Sequence, residues 1–271
     1  MKIAALQMVS TPDVARNLDT AAGLIDQAAR SGAELVALPE YFCLLGRRDT
    51  DKLAVAEDDG TGPIQQLLAD AARRAKVWVV GGTLPMRTAD PQRVRNSCCV
   101  YAPDGQRMAR YDKIHLFAYA NGREHYDEGR VLEAGTTPVA FAALGLRIGL
   151  SVCYDLRFPE LYRGLGHPPC DLLCVPSSFT HTTGLAHWEL LLRARAVENQ
   201  CYVIAPAQGG VHENGRRTYG HSMIVDPWGE VLAQREEGAG VVIADLDIAR
   251  IQAVRQQLPA LSHRLAGLAS G

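Results

Sequence analysis

Apolar runs of strand length alternate with helical periodicity through the opening of the chain, and that order admits few folds. Lys2 to Val9 (KIAALQMV) reads as a buried first strand. Leu18, Ala22, Ile25 and Ala29 then fall at helical spacing within Asn17 to Arg30, and Gly32 is a natural stop. Glu34 to Leu38 is a second strand, ending in Pro39-Glu40. A helix over Pro63 to Ala75 leads into a third strand, Val77 to Thr83. A β-α-β-α-β opening of this kind predicts an α/β sheet with helices packed on it.

The middle of the chain changes character. Apolar runs Ser97–Tyr101 and Gln106–Tyr111 flank Ala-Pro-Asp-Gly, and Met223–Val225 and Val231–Gln234 flank Asp-Pro-Trp-Gly. Proline followed two residues later by glycine favours a tight turn, so both read as β-hairpins. Between them lie a strand at Leu146–Val152, a helix after Arg157, a strand at Asp171–Pro176, a helix at Ala186–Asn199 and a strand at Cys201–Ala205. Asp247–Gln257 is a last helix. The two halves share a helix-strand-hairpin order, which predicts a duplicated, two-sheet architecture. No linker or low-complexity stretch divides the 271 residues, 47% of them hydrophobic, and a single domain over residues 1–271 is expected.

A net charge of −2 supplies no global field for nucleic acid or an anionic membrane, and neither is expected as a partner. No apolar run approaches the roughly 18 residues that span a bilayer. The start, MKIAALQMVS, lacks the apolar core and cleavage site of a secretory leader. Seven cysteines, an odd number, are scattered without a pairing pattern, so a reduced cytoplasmic protein with free thiols is expected. Cys170 and Cys174 bracket an apolar run that reads as strand, and no second ligand pair has zinc spacing, so no metal is expected.

Three chemistry-bearing residues share one context, the C-terminal end of a predicted strand. Glu40 follows ELVALP, Lys113 follows RMARYD, and Cys153 follows LRIGLSV. In α/β sheets that edge is where reactive groups converge. A strand-to-helix joint also offers a thiol backbone N–H groups and a helix N-terminus. Together the three would have defined tasks: Glu40 as proton carrier, Cys153 as nucleophile, Lys113 as oxyanion donor with the backbone N–H of Tyr154. Taken singly, each has an ordinary alternative: a turn carboxylate, a solvated lysine, a packed thiol. His115, His125, His181, His187 and His221 are rival bases, and their spacing selects none of them.

The stretches LVALPEYF, RYDKIHLF and GLSVCYDLRFPELYRGL resemble, in order, the three signature stretches of the nitrilase superfamily, the carbon–nitrogen hydrolases. The resemblance runs from the first strand to QLPALSHR. It implies a four-layer α-β-β-α sandwich and a Glu40–Lys113–Cys153 triad working without metal or organic cofactor. It also implies a second glutamate that holds the lysine. In REHYDEGRVLEAG, Glu128 aligns best with that role by its distance to the following Glu-Ala-Gly, with Glu124 and Glu133 as competing choices. The C-terminal half, TTGLAHWELLLRARAVENQCYVIAPAQGG and YGHSMIVDPWGEV, is similar to the Nit-type amidases, more narrowly to those that hydrolyse deaminated glutathione. Homodimerisation through the helices bearing RFPELYRGLGH and AHWELLLRARAVENQ is implied as well.

Arg157, four residues after the nucleophile, is a candidate for gripping a substrate carboxylate bidentately. Its alternative is to pair with Asp155 or Glu160 and hold the turn. Phe179 and Thr180 are candidates for the pocket wall, with an ordinary packed loop as their alternative. Competing functions are an ω-amidase acting on α-ketoglutaramate, an acyltransferase, and a non-catalytic module with Cys153 as an oxidation-sensing thiol.

Overall fold

A computed structural model describes residues 1–122 and 124–265. Two sheets form its centre. The first runs, in spatial order, Gly240–Asp245, Lys2–Gln7, Leu35–Ala37, Trp78–Val80, Val94–Tyr101 and Leu84–Arg87, and Arg107–Asp112 also pairs with Val94–Tyr101. The second runs Val231–Arg235, Ser222–Val225, Tyr202–Ala205, Leu172–Cys174, Leu146–Leu150 and Val139–Ala143. Each sheet contains three adjacent parallel strands extended by antiparallel ones. Each also carries one of the two predicted hairpins, Val94–Tyr101 with Arg107–Asp112 and Ser222–Val225 with Val231–Arg235.

Period-two alternation sorts the first sheet's side chains into two layers. Ala4, Leu6, Val36 and Leu38 face Ala21, Leu24 and Ile25 of helix Val14–Arg30 and Leu68 and Ala71 of helix Pro63–Ala75. Ile3, Ala5, Leu35, Ala37 and Val80 share a second core with Phe141, Ile148, Leu150, Leu172 and Val203 of the other sheet. That core continues to Trp188, Leu192 and Ala196 of helix His181–Asn199. The layers are therefore helix, sheet, sheet, helix, the expected α-β-β-α sandwich.

Both long helices whose starts differ from the sequence reading are set by caps. Asp13 accepts from Arg16 N–H, so the first helix begins at Val14 and not at Asn17. Thr180 accepts from Thr183 N–H, which starts the other at His181 and not at Ala186. The periodicity of apolar residues begins later than the capped turn in each case. Gly240–Asp245, Val139–Ala143, Leu84–Arg87 and two small hairpins, Ala118–Ala120 with His125–Asp127 and Gly209–Val211 with Arg217–Tyr219, had no counterpart in the sequence reading. They are short or half-exposed and carry no clean alternation.

Candidate active site

Strand direction brings the three candidate groups to one place. Arg107–Asp112 is antiparallel to Val94–Tyr101, itself antiparallel to Trp78–Val80. It therefore runs in the same sense as the parallel strands, and Lys113 leaves the sheet at the edge where Glu40 follows Leu35–Ala37. Cys153 follows Leu146–Leu150 of the second sheet and completes the cluster across the interface.

Lys113 Nζ lies 2.9 Å from Glu40 Oε1 and 2.7 Å from Glu128 Oε2, and its side chain is fully buried. An ammonium has three donors, so one remains for a substrate oxygen. Glu128 is thus the glutamate that holds the lysine. Glu133 instead binds Arg95 at 2.6 Å, and Glu124 binds Thr182 Oγ1 at 2.8 Å. Glu128 also accepts from Tyr41 Oη and from Phe117 N–H, both at 2.7 Å. Glu40 accepts from Asn96 Nδ2 at 2.9 Å, and Asn96 O takes the Lys113 backbone N–H at 3.0 Å. Gln208 Nε2 donates to Glu40 O at 3.0 Å, tying the turn to the second sheet.

The two turns that carry Glu40 and Cys153 are strained. Tyr41 (φ 58°) and Cys153 (φ 50°) occupy the left-handed region, at a cost of roughly 1–3 kcal/mol each. Thr83 Oγ1 accepts from Tyr41 N–H at 2.8 Å and so holds the first turn. Gly82 packs so closely against it that a Cβ would collide with Pro39 O. Cys153–Arg157 is a single 3-10 turn, and the α-helix begins only at Pro159. The expected helix N-terminus under the thiol is therefore a tight turn, set by Asp155. Fully buried Asp155 accepts from Val152 N–H at 2.8 Å and Tyr111 Oη at 2.7 Å through one oxygen. Its other oxygen meets His115 N–H at 3.0 Å and His115 Nδ1 at 2.7 Å. The RYDKIH and SVCYD stretches are thereby locked together. His115 stacks on Phe158 with ring centroids 3.7 Å apart, so it is a strut of the turn.

Burial and charge set the protonation states. Burial raises the Cys153 pKa well above the ordinary thiol value, the Glu40 charge raises it further, and Lys113 only partly opposes them. Glu40 is likewise raised by burial, against the attraction of Lys113. Burial would raise Glu128 too, but Lys113 and its hydrogen bonds hold it below the usual carboxylate value. Lys113, despite burial, is held charged by Glu128 and Glu40. The resting thiol is neutral beside a carboxylate of raised basicity, an arrangement suited to proton transfer during attack.

Cys153 stands between two cavities. The larger, about 60 Å³, reaches from Glu40, Glu128 and Cys153 to Lys52, Arg216 and Arg217. The smaller is lined by Tyr154, Arg157, Phe179 and Thr180. Arg157 pairs with neither Asp155 nor Glu160; its Nη1 is 3.2 Å from His187 Nδ1 and its guanidinium lies over Phe179 and Tyr154. Phe179 packs on Trp188. Thr180 serves as both helix cap and wall. All seven cysteines are free and buried. Among the described residues no group of three or more His, Cys, Asp or Glu side chains is gathered to hold a metal.

The sequence model of the carbon–nitrogen hydrolase family matches residues 2–256. The chain is a member of the carbon–nitrogen hydrolase family. This hydrolase is 45% identical over 266 residues to a protein of Synechocystis sp. called deaminated glutathione amidase, covering 97% of each chain. Its fold superposes on the NitFhit protein of C. elegans with a TM-score of 0.87 at 37% identity, covering 97% of this chain and 64% of that one. A variant of the amidase from Nesterenkonia sp. AN1, in which acrylamide has added to the active-site cysteine, matches with a TM-score of 0.80 at 26% identity, covering 96% and 98%. The fold and family are those of the nitrilase superfamily.

The sequence reading missed Asn96, Asp155, Lys52 and Arg216. Asn96 and Lys52 lie in segments read for other purposes or not read at all. In the sequence Asp155 reads only as a partner of Arg157. Its place directly after the Cys-Tyr pair was the available signal.

Proposed function

We propose that this hydrolase cleaves the amide of a carboxylate-bearing small molecule through a Cys153 thioester. Its substrate in this reading is deaminated glutathione, released as α-ketoglutarate and cysteinylglycine. The observation that carries the mechanism is the buried Lys113 ammonium held between Glu40 and Glu128 beside the neutral thiol of Cys153. Glu40 takes the Sγ proton as sulfur attacks the carbonyl carbon. The remaining Lys113 N–H and the Tyr154 backbone N–H receive the oxyanion. Glu40 then returns the proton to the departing nitrogen, the C–N bond breaks, and the acyl group stays on sulfur. Water next attacks the thioester and gives its proton to Glu40, the C–S bond breaks, and the thiol is restored. Arg157, with Phe179 and Thr180 beside it, faces the acyl part and takes its α-keto carboxylate.

The substrate assignment is supported by the 45% identity to a protein of that name and by the cations in both cavities. Its test is kcat/KM measured side by side for deaminated glutathione, α-ketoglutaramate and a simple nitrile. The reading requires deaminated glutathione to rank first. A higher value for α-ketoglutaramate would make the protein an ω-amidase.

The protein also works as a homodimer in this reading. Leu185 and Leu190 on helix His181–Asn199 are 69% and 68% exposed, with half-exposed Val197 and Trp228 near the same helix's far end. Exposed large apolar side chains along a long helix suit burial against a second copy.

A further inference from the structure

The larger cavity holds a feature that amide cleavage itself does not use. Lys52 is only 13% exposed, yet its Nζ has no hydrogen-bond acceptor within reach among the described residues. Its contacts are Asp49 Oδ1 at 3.8 Å and the face of Tyr41 at 4.7 Å. Arg216 already claims Asp49 at 2.8 Å and lies over the ring of Tyr126. Two cations therefore share one carboxylate. Of the other charges facing this end, Arg217 pairs with Glu237 and Asp127 with Arg130, and Glu40 and Glu128 share Lys113. Burial pushes the Lys52 ammonium below the ordinary lysine value and Arg216 adds to this, with Asp49, Glu128 and Glu40 pulling the other way. A desolvated ammonium with no acceptor in hydrogen-bond reach, at the wall of a cavity, gains from an arriving carboxylate oxygen.

The geometry also separates this cavity from the one lined by Arg157. Cys153 belongs to both. In a thioester mechanism the acyl group stays on sulfur and the amine departs on the other side of the carbonyl carbon. Glu40, which hands its proton to the departing nitrogen, lines the larger cavity and not the smaller, so the amine leaves on the side of Lys52 and Arg216.

We propose that Lys52 and Arg216 form a leaving-group site that binds the C-terminal carboxylate of the departing amine. This rests on the hydrolase reading above and deepens it. The site selects dipeptide-like leaving groups over ammonia, and Asp49 keeps the two cations apart and aimed inward. Arg157 and the Lys52–Arg216 pair then grip opposite ends of a dianionic substrate.

The test compares deaminated glutathione with its analogue bearing a C-terminal glycinamide, using the wild-type protein. The expected result is a drop of tenfold or more in kcat/KM for the amide, carried mainly by KM. Lys52→Met and Arg216→Met are expected to shrink that acid-to-amide ratio toward one. Equal kcat/KM for acid and amide in the wild type overturns the site, whatever the variants do. Variants that slow both substrates by one common factor also overturn it, and leave Lys52 as a strut for Tyr41. Failure to cleave either dipeptide, with α-ketoglutaramate still hydrolysed, overturns the substrate reading and this site with it.

Discussion

At the scale of single residues, the site is a balance of buried charges with little slack. Lys113 separates two carboxylates that share its ammonium. Lys113→Met would leave both without a cation, and unpairing a buried ion typically costs about 3–5 kcal/mol. Urea unfolding should show a loss of that order, together with abolished turnover. Glu40→Gln keeps an oxygen for Asn96 and Lys113 and removes the proton carrier. We expect it to fold normally and to lose about 10²–10⁴ in kcat, as general acid–base catalysis contributes. A variant with near wild-type kcat would remove Glu40 from the mechanism. Asp155→Asn retains a single acceptor oxygen where two now receive Val152, Tyr111 and His115. Leaving a buried donor unmet costs about 1–3 kcal/mol, so a lower unfolding midpoint and reduced turnover are expected together. Glu40, Lys113 and Cys153 were legible in the sequence because each ends a readable strand. Asn96 and Asp155 were not, since a carboxamide inside a strand and an acid in a turn acquire their roles only through partners distant in sequence.

At the scale of elements, hairpin Gly209–Val211 with Arg217–Tyr219 carries Arg217 and Thr218 to the cavity, with Arg216 at the end of its turn. His212 pins it to the first sheet. Its Nδ1 is 2.8 Å from Ser10 O, which can only accept, so that nitrogen carries the proton and Nε2 accepts from Thr218 Oγ1. Burial lowers the pKa of this imidazole from the usual 6.5, against the pull of the Ser10 carbonyl. A depressed folded-state value means that the neutral ring stabilises the fold above about pH 6.5, and that this contribution is lost as pH falls through the folded value. Between pH 7.5 and pH 5, wild-type unfolding free energy should therefore fall more steeply than that of His212→Gln. Equal slopes would assign the acid sensitivity elsewhere. This hairpin was not legible in the sequence. Its strands are three residues each, too short for alternation to register. The long helices and the Pro-x-Gly hairpins were legible because periodicity and turn chemistry are local.

At the scale of the whole molecule, the duplicated order of elements in the sequence became two sheets with matching parallel centres. How those sheets face each other was not legible, because strand order and docking are set by contacts far apart in the chain. The exposed Leu185 and Leu190 predict self-association. Light scattering at micromolar concentration should give twice the monomer mass, and Leu185→Lys with Leu190→Lys should halve it. A wild-type monomer would discard the dimer. The strand Gly240–Asp245 closes the first sheet by pairing with Lys2–Gln7, so that sheet lacks its edge until nearly the whole chain has been made. Glu40 and Lys113 sit on that sheet, and Cys153 sits on the other. In a ribosome-bound or half-folded chain Cys153 lacks both the burial that raises its pKa and the Glu40 carboxylate beside it, and it gains the two together when the sheets dock. The amidase chemistry therefore arrives with the docked sheets, and regain of turnover is itself a readout of finished folding.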